Sequence, residues 1–250
     1  MTRTIYTDTN VLINGSGLLV QSFNLNKSMP HEQIEEYGSD DFYQVQSEPS
    51  VANCEISCYP VSGTFGNLLE QLTFHSKSSN PLRESINSNF GGLQHALLTS
   101  IRSEASIGSI PITTLGFVGA ISTENPLGAS SVSTALTTVE STESISINGG
   151  DICAQRVSFD WGIPVTSIPK YDESLSYPTG FFGEPVGVAN LSLEGITEPL
   201  SIVNSVNFGG FTATFNDIKV ISSGINQAVG TIGATYSISY QCSVNNVSFD

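Results

Sequence analysis

Charged side chains are scarce in this sequence. Only 12% of its 250 residues are Asp, Glu, Lys or Arg, which is about half the share found in typical globular domains. Eight residues are basic and 23 are acidic, so the formal net charge is −15. Strong binding to nucleic acid is not expected, because it requires clustered Lys and Arg. A surface poor in charge is typical of proteins that pack against other subunits, since interface cores are depleted of charge.

Long apolar runs are also missing. The opening residues MTRTIYTDTN contain no apolar segment of the signal-peptide type, and no run approaches the roughly 20 residues of a membrane helix. We therefore expect synthesis in a reducing cytoplasm and no membrane partner. Cys54 and Cys58 alternate with polar residues in a strand-like segment, where they would lie about 13 Å apart, too far for a disulfide or a shared metal. These two cysteines, Cys153 and Cys242 are predicted to be free thiols in the core.

Motifs that carry enzyme chemistry are absent as well. The sequence has no P-loop, no G-x-G-x-x-G and no G-x-S-x-G. Its three histidines, His31, His75 and His95, lack the spacing of metal ligands. Acidic pairs that include Glu35 and Asp40 would be needed for a polysaccharide-degrading enzyme, but the second half has no equivalent carboxylates. We expect no catalytic residue, no metal and no cofactor.

What the sequence does contain is a repeat. The tetrapeptide NFGG occurs at Asn89–Gly92 and again at Asn207–Gly210. Other matches follow in the same order, namely INGS at 13–16 with INGG at 147–150, SFN at 22–24 with SFD at 158–160, EPSVAN at 48–53 with EPVGVAN at 184–190, and TLGFVGAIS at 114–122 with TIGATYSIS at 231–239. The separation falls from 137 residues (Asn53 to Asn190) to 118 residues (Asn89 to Asn207), so the first copy has an additional block near 64–88. We predict two homologous domains, 1–123 and 145–250. The Ser/Thr-rich segment 124–144 between them is a linker, an added strand or an arm.

Strand signals dominate both copies. Asn14-Gly15 and Asn148-Gly149 each separate two β-rich runs, which is a hairpin signature. One short helix per copy is predicted, in GNLLEQLTF (66–74) and in the matching EPLSIVNSV (198–206). The predicted fold class is therefore mainly β, with two tandem β-sandwich or partial-barrel domains, each with a short helix.

A long polar segment interrupts each copy, at 26–49 and at 162–185. Loops of this length are usually functional, and their aromatic residues indicate that they pack against another surface. We predict that they form contacts between subunits or rings through Glu35, Glu36, Tyr37, Asp40, Asp41, Phe42, Tyr43, Tyr171, Asp172, Glu173, Phe181 and Phe182.

The segment VLINGSGLLVQSFNLNKSMPHEQIEEYGSDDFYQVQSEPSVANCEISCYPVSG (11–63) resembles the tail tube proteins of tailed phages. The resemblance is one of pattern: an N-terminal hairpin, a long loop, paired sheets and one short helix, over most of each copy. Together with the duplication, it is similar to siphophage tube proteins that have two fused tube domains and form trimeric rings with pseudo-sixfold symmetry. It implies that inner strands of neighbouring domains join into a barrel around a lumen, and that the long loop and the N-terminal arm reach the adjacent ring.

The resemblance implies a structural virion protein, a major tail tube subunit whose stacked rings let DNA pass during ejection. Its expected partners are copies of itself, a tape measure protein and a tail terminator, with transient non-adhesive contact to DNA. The protein would be assembled in the bacterial host and located in the virion tail. A ring of three chains would carry a charge of −45, three times −15, which would repel DNA phosphates. The alternatives are another virion component (tail terminator, distal tail or decoration protein) and a glycan-binding adhesin that uses Phe42, Tyr43, Phe181 and Phe182.

Overall fold

The computed structural model describes residues 2–5, 10–28, 31–35, 42–46, 51–60, 64–77, 84–88, 91–121, 137–140, 145–151, 154–168, 180–183, 187–196, 200–226 and 234–250. The chain is mainly β, as predicted, with one α-helix in these residues. The first part contains β1 (Thr2–Ile5), β2 (Asn10–Ile13), β3 (Ser16–Ser28), β4 (His31–Glu35), β5 (Phe42–Gln46), β6 (Val51–Cys58), α1 (Phe65–Lys77), β7 (Glu84–Ser88), β8 (Gly91–Ser106), β9 (Ile112–Ile121) and β10 (Thr137–Glu140).

The remaining strands lie after residue 145. They are β11 (Ser146–Ile147), β12 (Gly150–Asp151), β13 (Arg156–Gly162), β14 (Val165–Ile168), β15 (Gly180–Gly183), β16 (Val188–Ile196), β17 (Ser205–Asn207), β18 (Thr212–Phe215), β19 (Lys219–Asn226), β20 (Thr235–Ser243) and β21 (Val247–Phe249), with a 3-10 turn at Val244–Asn246.

Six strands of the first half close into a barrel in the order β8-β7-β2-β3-β6-β9, and β9 pairs back to β8. Strand alternation explains why these residues form its wall. In β6, Ala52, Cys54, Ile56 and Cys58 are buried, while the residues between them face outward. The barrel therefore has an apolar interior and a polar outer face.

The 16-residue strand β8 joins the two halves of the chain. One of its edges pairs with β9. Its other edge pairs first with β7 and then, over Ser100–Ser106, with β13. From β13 the same sheet continues through β16 and β20 to β19. One sheet thus runs from the first half into the second.

A second sheet, in the order β12-β11-β17-β18-β21, packs against this extension. Aromatic rings fill the space between them: Phe159 on β13 contacts Phe208, Phe215 and Phe249 with ring centroids 5.8–6.0 Å apart. Trp161 and Tyr240 are fully buried in the same core. The buried residues of both halves form a single hydrophobic cluster.

Helix α1 is held by contacts with both halves. Its buried face carries Leu69, Leu72, Thr73 and Ser76, which is the spacing of one helical face. Ser76 Oγ donates to the carbonyl of Leu98 on β8 at 2.9 Å. The helix is 13 residues long, and the described residues include no helix long and apolar enough to cross a membrane.

Two hydrogen bonds connect α1 to strand β21. Glu70 Oε2 accepts a hydrogen bond from the backbone N–H of Phe249 at 2.8 Å. Lys77 Nζ donates to the carbonyl of Val247 at 2.7 Å. Burial lowers the pKa of Lys77, partly opposed by the nearby carboxylate of Glu70.

The prediction of a helix in each copy is wrong for the second copy. Leu200–Asn204 form no helix, and Ser205–Asn207 form strand β17. The connection from β16 to β17 spans only 197–204, whereas the connection from β6 to β7 spans 59–83. The shorter connection has no room for a helix of two turns plus the links on either side. The additional block near 64–88 is the segment that contains α1.

Three strand pairings of the first half have counterparts in the second, although the second half is divided between two sheets. In the first half, the β2–β3 hairpin pairs with β7, β3 pairs with β6, and β6 pairs with β9. In the second, the β11–β12 hairpin pairs with β17, β13 pairs with β16, and β16 pairs with β20. The domain boundaries 1–123 and 145–250 stay a prediction. Within the segment between them, Thr137–Glu140 is strand β10 and pairs with β1.

Candidate functional site

Five of the sequence-predicted contact residues lie on two small antiparallel strand pairs. Each long segment contains a two-stranded hairpin instead of an irregular loop: β4 pairs with β5, and β14 pairs with β15. Glu35 is opposite Phe42 at the end of the first hairpin, and Tyr43 follows on β5. Phe181 and Phe182 lie on β15, opposite Ser167 and Thr166. The other predicted contact residues lie outside the described part of the chain: Glu36, Tyr37, Asp40, Asp41, Tyr171, Asp172 and Glu173.

A different feature dominates the described residues: a polar face on the large sheet. One row of polar or charged side chains crosses eight adjacent strands, from β3 through β6, β9, β8, β13, β16 and β20 to β19. In that order the row is Ser22, Ser57, Thr114, Arg102, Asp160, Asn190, Gln241 and Lys219. We call this set and the parallel rows beside it the polar ladder. All eight residues are exposed or half-buried.

The ladder is polar because each strand alternates. On β20, Ile238, Tyr240 and Cys242 point into the core, which leaves Ser239 and Gln241 on the other face. A directly adjacent row runs over Glu104, Ser158, Ser192, Ser239 and Ser222. No single strand is unusual, and the polar surface forms only when the strands align in register.

Hydrogen bonds connect neighbours across the ladder. The hydroxyls of Ser57 and Thr114 are 2.9 Å apart. Gln241 Nε2 donates to Asn190 Oδ1 at 2.9 Å. Because these side chains already bond to one another, they have fewer free donors and acceptors for a binding partner.

Each cation of the ladder has a carboxylate beside it. Arg156 Nη2 is 2.7 Å from Glu104 Oε1 and Arg156 Nη1 is 4.0 Å from Glu194 Oε2. Arg102 Nε is 3.6 Å from Asp160 Oδ1. These exposed pairs add little stability, but they matter for recognition. A phosphate chain is bound by cations that are free to replace its counterions, and these arginines already face carboxylates.

Lys219 ends the row on β19, where its Nζ is 3.8 Å from Asp217 Oδ2.

An open depression of about 700 Å³ lies on the same face, beside Arg102, Glu104, Asp160 and Asn190. The described residues contain no group of three or more His, Cys, Asp and Glu side chains that could hold a metal ion. The face therefore offers hydroxyls, amides and paired charges.

No protein-family model and no curated protein sequence matches this chain.

The free edge of the large sheet is the second feature that sequence reasoning missed. Strand β19 pairs with β20 on one side, and no strand pairs with its other side among the described residues. It carries exposed apolar side chains: Ile225 is 69% exposed and Ile221 56%. An unpaired edge with exposed isoleucines is a template for pairing with another strand. The sequence signal was present in the apolar residues of KVISSGIN, but sequence alone did not show that this strand lies at an edge.

The prediction of buried thiols is confirmed for three cysteines. Cys54, Cys58 and Cys242 are buried and free, and Cys58 Sγ donates to the carbonyl of Thr113 at 3.4 Å. Burial raises the pKa of Cys54 and of Cys58 to about 12. These thiols are protonated packing groups, and Cys153 lies outside the described residues.

Proposed function

We propose that this chain is a structural subunit of the tail tube type, which assembles with copies of itself into rings that stack around a channel for DNA. The single observation that carries the proposal is the large sheet. It runs through both halves of one chain, it is polar on its outer face, and it ends at an unpaired edge with exposed isoleucines. A sheet built this way gains pairing partners when chains associate, and closure into a ring removes its edges.

Tandem duplication is part of the proposal. Besides the strand pairings that recur, both halves place an Asn in the left-handed region at an Asn-Gly hairpin, with φ 50° at Asn14 and 55° at Asn148. Each Asn donates its backbone N–H to the strand that the hairpin joins, at Ser85 and Ser205. Two similar units in one chain mean that three chains would supply six positions in a closed ring.

The polar ladder suits the wall of a channel for DNA. Its arginines are paired with carboxylates, so phosphates passing along it would find few free cations to bind. With a formal charge of −15 per chain, the wall would also repel the DNA backbone. DNA would then slide along the channel without adhering.

Electron microscopy of negatively stained protein tests the proposal. We expect rings or stacked tubes with a central hole in concentrated samples, together with a mass of several chains by light scattering. Closed rings that never stack would indicate another ring-forming virion component, such as a terminator. A monodisperse monomer at every concentration would overturn the proposal, because the sheet edge would then need no partner.

A further inference from the structure

We infer that β19 of one chain pairs antiparallel with β3 of the next copy, in the register that places Ile225 opposite Leu25 and Gly224 opposite Asn26. This inference rests on the proposed self-assembly and specifies the two edges that join. It is carried by a junction already present within one chain, where β8 pairs with β13 over seven residue pairs. The second half of a chain would repeat that junction with the first half of its neighbour.

Strand β19 occupies in the second half the place of β8 in the first. Strand β8 pairs with β9 with a bulge between Leu98 and Ser100. Strand β19 pairs with β20 with a bulge between Val220 and Ser222. Superposing the two bulges makes Ser103 of β8 equivalent to Ile225 of β19.

These equivalent residues differ in their surroundings. Ser103 is 3% exposed because β13 lies beside it, with Phe159 as its direct partner. Ile225 is 69% exposed, since no described strand lies beyond β19. An isoleucine at the position of a covered serine is the feature expected if a second chain covers it.

Strand β3 occupies in the first half the place of β13 in the second. Val51-Ala52-Asn53 of β6 matches Val188-Ala189-Asn190 of β16, which makes Cys54 equivalent to Leu191. Leu25 is opposite Cys54, and Phe159 is opposite Leu191. By strand pairing, Leu25 is therefore the counterpart of Phe159, whereas the sequence match of SFN with SFD places Phe23 there.

The edge of β3 that corresponds to the β8-facing edge of β13 is unpaired in the described residues from Val20 onward. Strand β2 pairs with β3 only opposite Ser16–Leu19, and β6 pairs with the opposite edge over Val20–Ser28. Among the described residues, the large sheet therefore has one open edge in each half of the chain. Head-to-tail pairing of unlike edges closes into a ring when the rotation allows.

If the junction between two chains has the same register as the pairing of β8 with β13 within one chain, the residues that face each other across it are determined. The in-chain pair Ser103–Phe159 becomes Ile225–Leu25, and the pair Arg102–Asp160 becomes Gly224–Asn26. The ion pair at the in-chain junction shows that side chains at this second pair of positions touch, with 3.6 Å between Arg102 Nε and Asp160 Oδ1. The new junction carries neutral side chains at both pairs, so association does not have to bury a charge there.

Cysteine cross-linking with the variant Asn26→Cys/Gly224→Cys tests the register. Both positions are exposed on the polar face, and a side chain built at Gly224 meets nothing within 4 Å. Directly opposite residues have Cα atoms about 4.5–5.5 Å apart, which is disulfide range. A Cys153→Ser background leaves only the buried thiols Cys54, Cys58 and Cys242.

On oxidation we expect a series of covalently linked oligomers on a non-reducing gel, because each chain forms a disulfide with a different neighbour at each of its two open edges. The matched control is Asn24→Cys/Gly224→Cys. It uses the same strands and the same face but lies two residues out of register, where diagonal positions are about 7–8 Å apart. Equal cross-linking of the two variants would overturn the register.

A second pair of variants tests the edge itself. Ile225→Asp should raise the concentration needed for assembly by about tenfold or more, because an unpaired carboxylate would be buried at the junction. Its control is Ile202→Asp, which changes an isoleucine that is 65% exposed away from this edge. Rings that form without the expected cross-link would overturn this inference and leave the proposed function standing. A chain that forms no assembly would overturn both.

Discussion

Buried thiols give the clearest pH dependence at the scale of single residues. The pKa of an exposed thiol is near 9.0, whereas burial raises the pKa of Cys58 to about 12 and that of Cys242 to about 11. Above about pH 9 the unfolded chain releases these protons and the folded chain keeps them. The free energy of unfolding should therefore be constant with respect to these groups below pH 9 and fall as the pH rises toward 11.

Urea unfolding at about pH 8 and about pH 10.5 measures this effect. For Cys58 alone the fall should approach about 1.4 kcal/mol per pH unit. Tyr240 acts in the same direction, since burial raises its pKa to about 12. Lys77 acts in the opposite direction, because its pKa is lowered. Cys58→Ala should show a shallower fall, and an unchanged slope would contradict the assignment.

Gly66 is a second residue whose role follows from its surroundings. An alanine inside a helix normally stabilises it by about 1 kcal/mol relative to glycine. At this position the added Cβ would lie 2.1 Å from the backbone carbonyl carbon of Asp250. Gly66→Ala should therefore destabilise the protein by about 1–3 kcal/mol, measured by chemical denaturation. The exposed neighbour Asn67→Ala is the control and should be neutral or slightly stabilising; equal effects would show that the contact with Asp250 is unimportant.

At the scale of elements, the two Asn-Gly hairpins should respond alike to substitution. Asn14 Oδ1 accepts from the backbone N–H of Ser85 at 2.9 Å, and Asn148 Oδ1 accepts from that of Asn204 at 2.6 Å. Alanine loses this acceptor and is strained at positive φ, so Asn14→Ala and Asn148→Ala should each cost about 1–3 kcal/mol. Glycine also loses the side-chain hydrogen bonds, including those that Asn14 Nδ2 donates to Glu84 and Asn148 Nδ2 donates to Ile202. It adopts positive φ without strain, however, and should cost less than alanine.

Thermal unfolding of the four single variants checks this order. If alanine is more destabilising than glycine at both turns, the result would support the interpretation that the two hairpins are copies of one another. If glycine were worse than alanine at either turn, the left-handed conformation could not be what selects Asn there.

Local chemistry explains which elements could be predicted. The Asn-Gly turns and the alternating strand that contains Cys54 and Cys58 are confirmed, because turn geometry and alternation act over a few residues. The pairing of β8 with β13 is different. It joins residues that are 50 (Ser106 and Arg156) to 62 (Ser100 and Gly162) positions apart, and no local pattern in either segment indicates which strand it pairs with.

The repeat shows the same limit. The sequence match of 114–122 with 231–239 places Leu115 against Ile232. Strand pairing instead relates Leu115 to Ile238, since these residues are opposite Ile56 and Leu193 respectively. Short motifs rich in Ser and Gly can match out of register, and register in a sheet is set by partners far away in sequence.

The candidate site was hard to predict for a related reason. Acidic and aromatic clusters near 35–43 and 171–182 stood out in the sequence, whereas the polar ladder is made of polar and charged residues that are scattered along the chain. Ser57 and Gln241 are 184 positions apart, yet both lie on the same row of side chains. Such a surface exists only after the strands are aligned.

At the scale of the whole molecule, charge pairing on the polar ladder should control adhesion to DNA. The native chain should not bind duplex DNA in a gel-shift experiment at about 50 mM salt, since its arginines face carboxylates. The variant Glu104→Gln/Asp160→Asn removes two of those carboxylates and raises the net charge by two. It leaves Arg102 and Arg156 on adjacent strands with fewer partners, so we expect weak binding that disappears near 200 mM salt.

The control for this prediction adds the same two charges elsewhere. Asn67→Lys/Gln71→Lys places two cations on the exposed side of α1, so its net charge equals that of the ladder variant. If pairing with carboxylates prevents the arginines of the polar ladder from binding phosphate, only the ladder variant should shift DNA. Equal binding by both variants would mean that total charge decides adhesion, and the ladder would then have no special part in letting DNA slide.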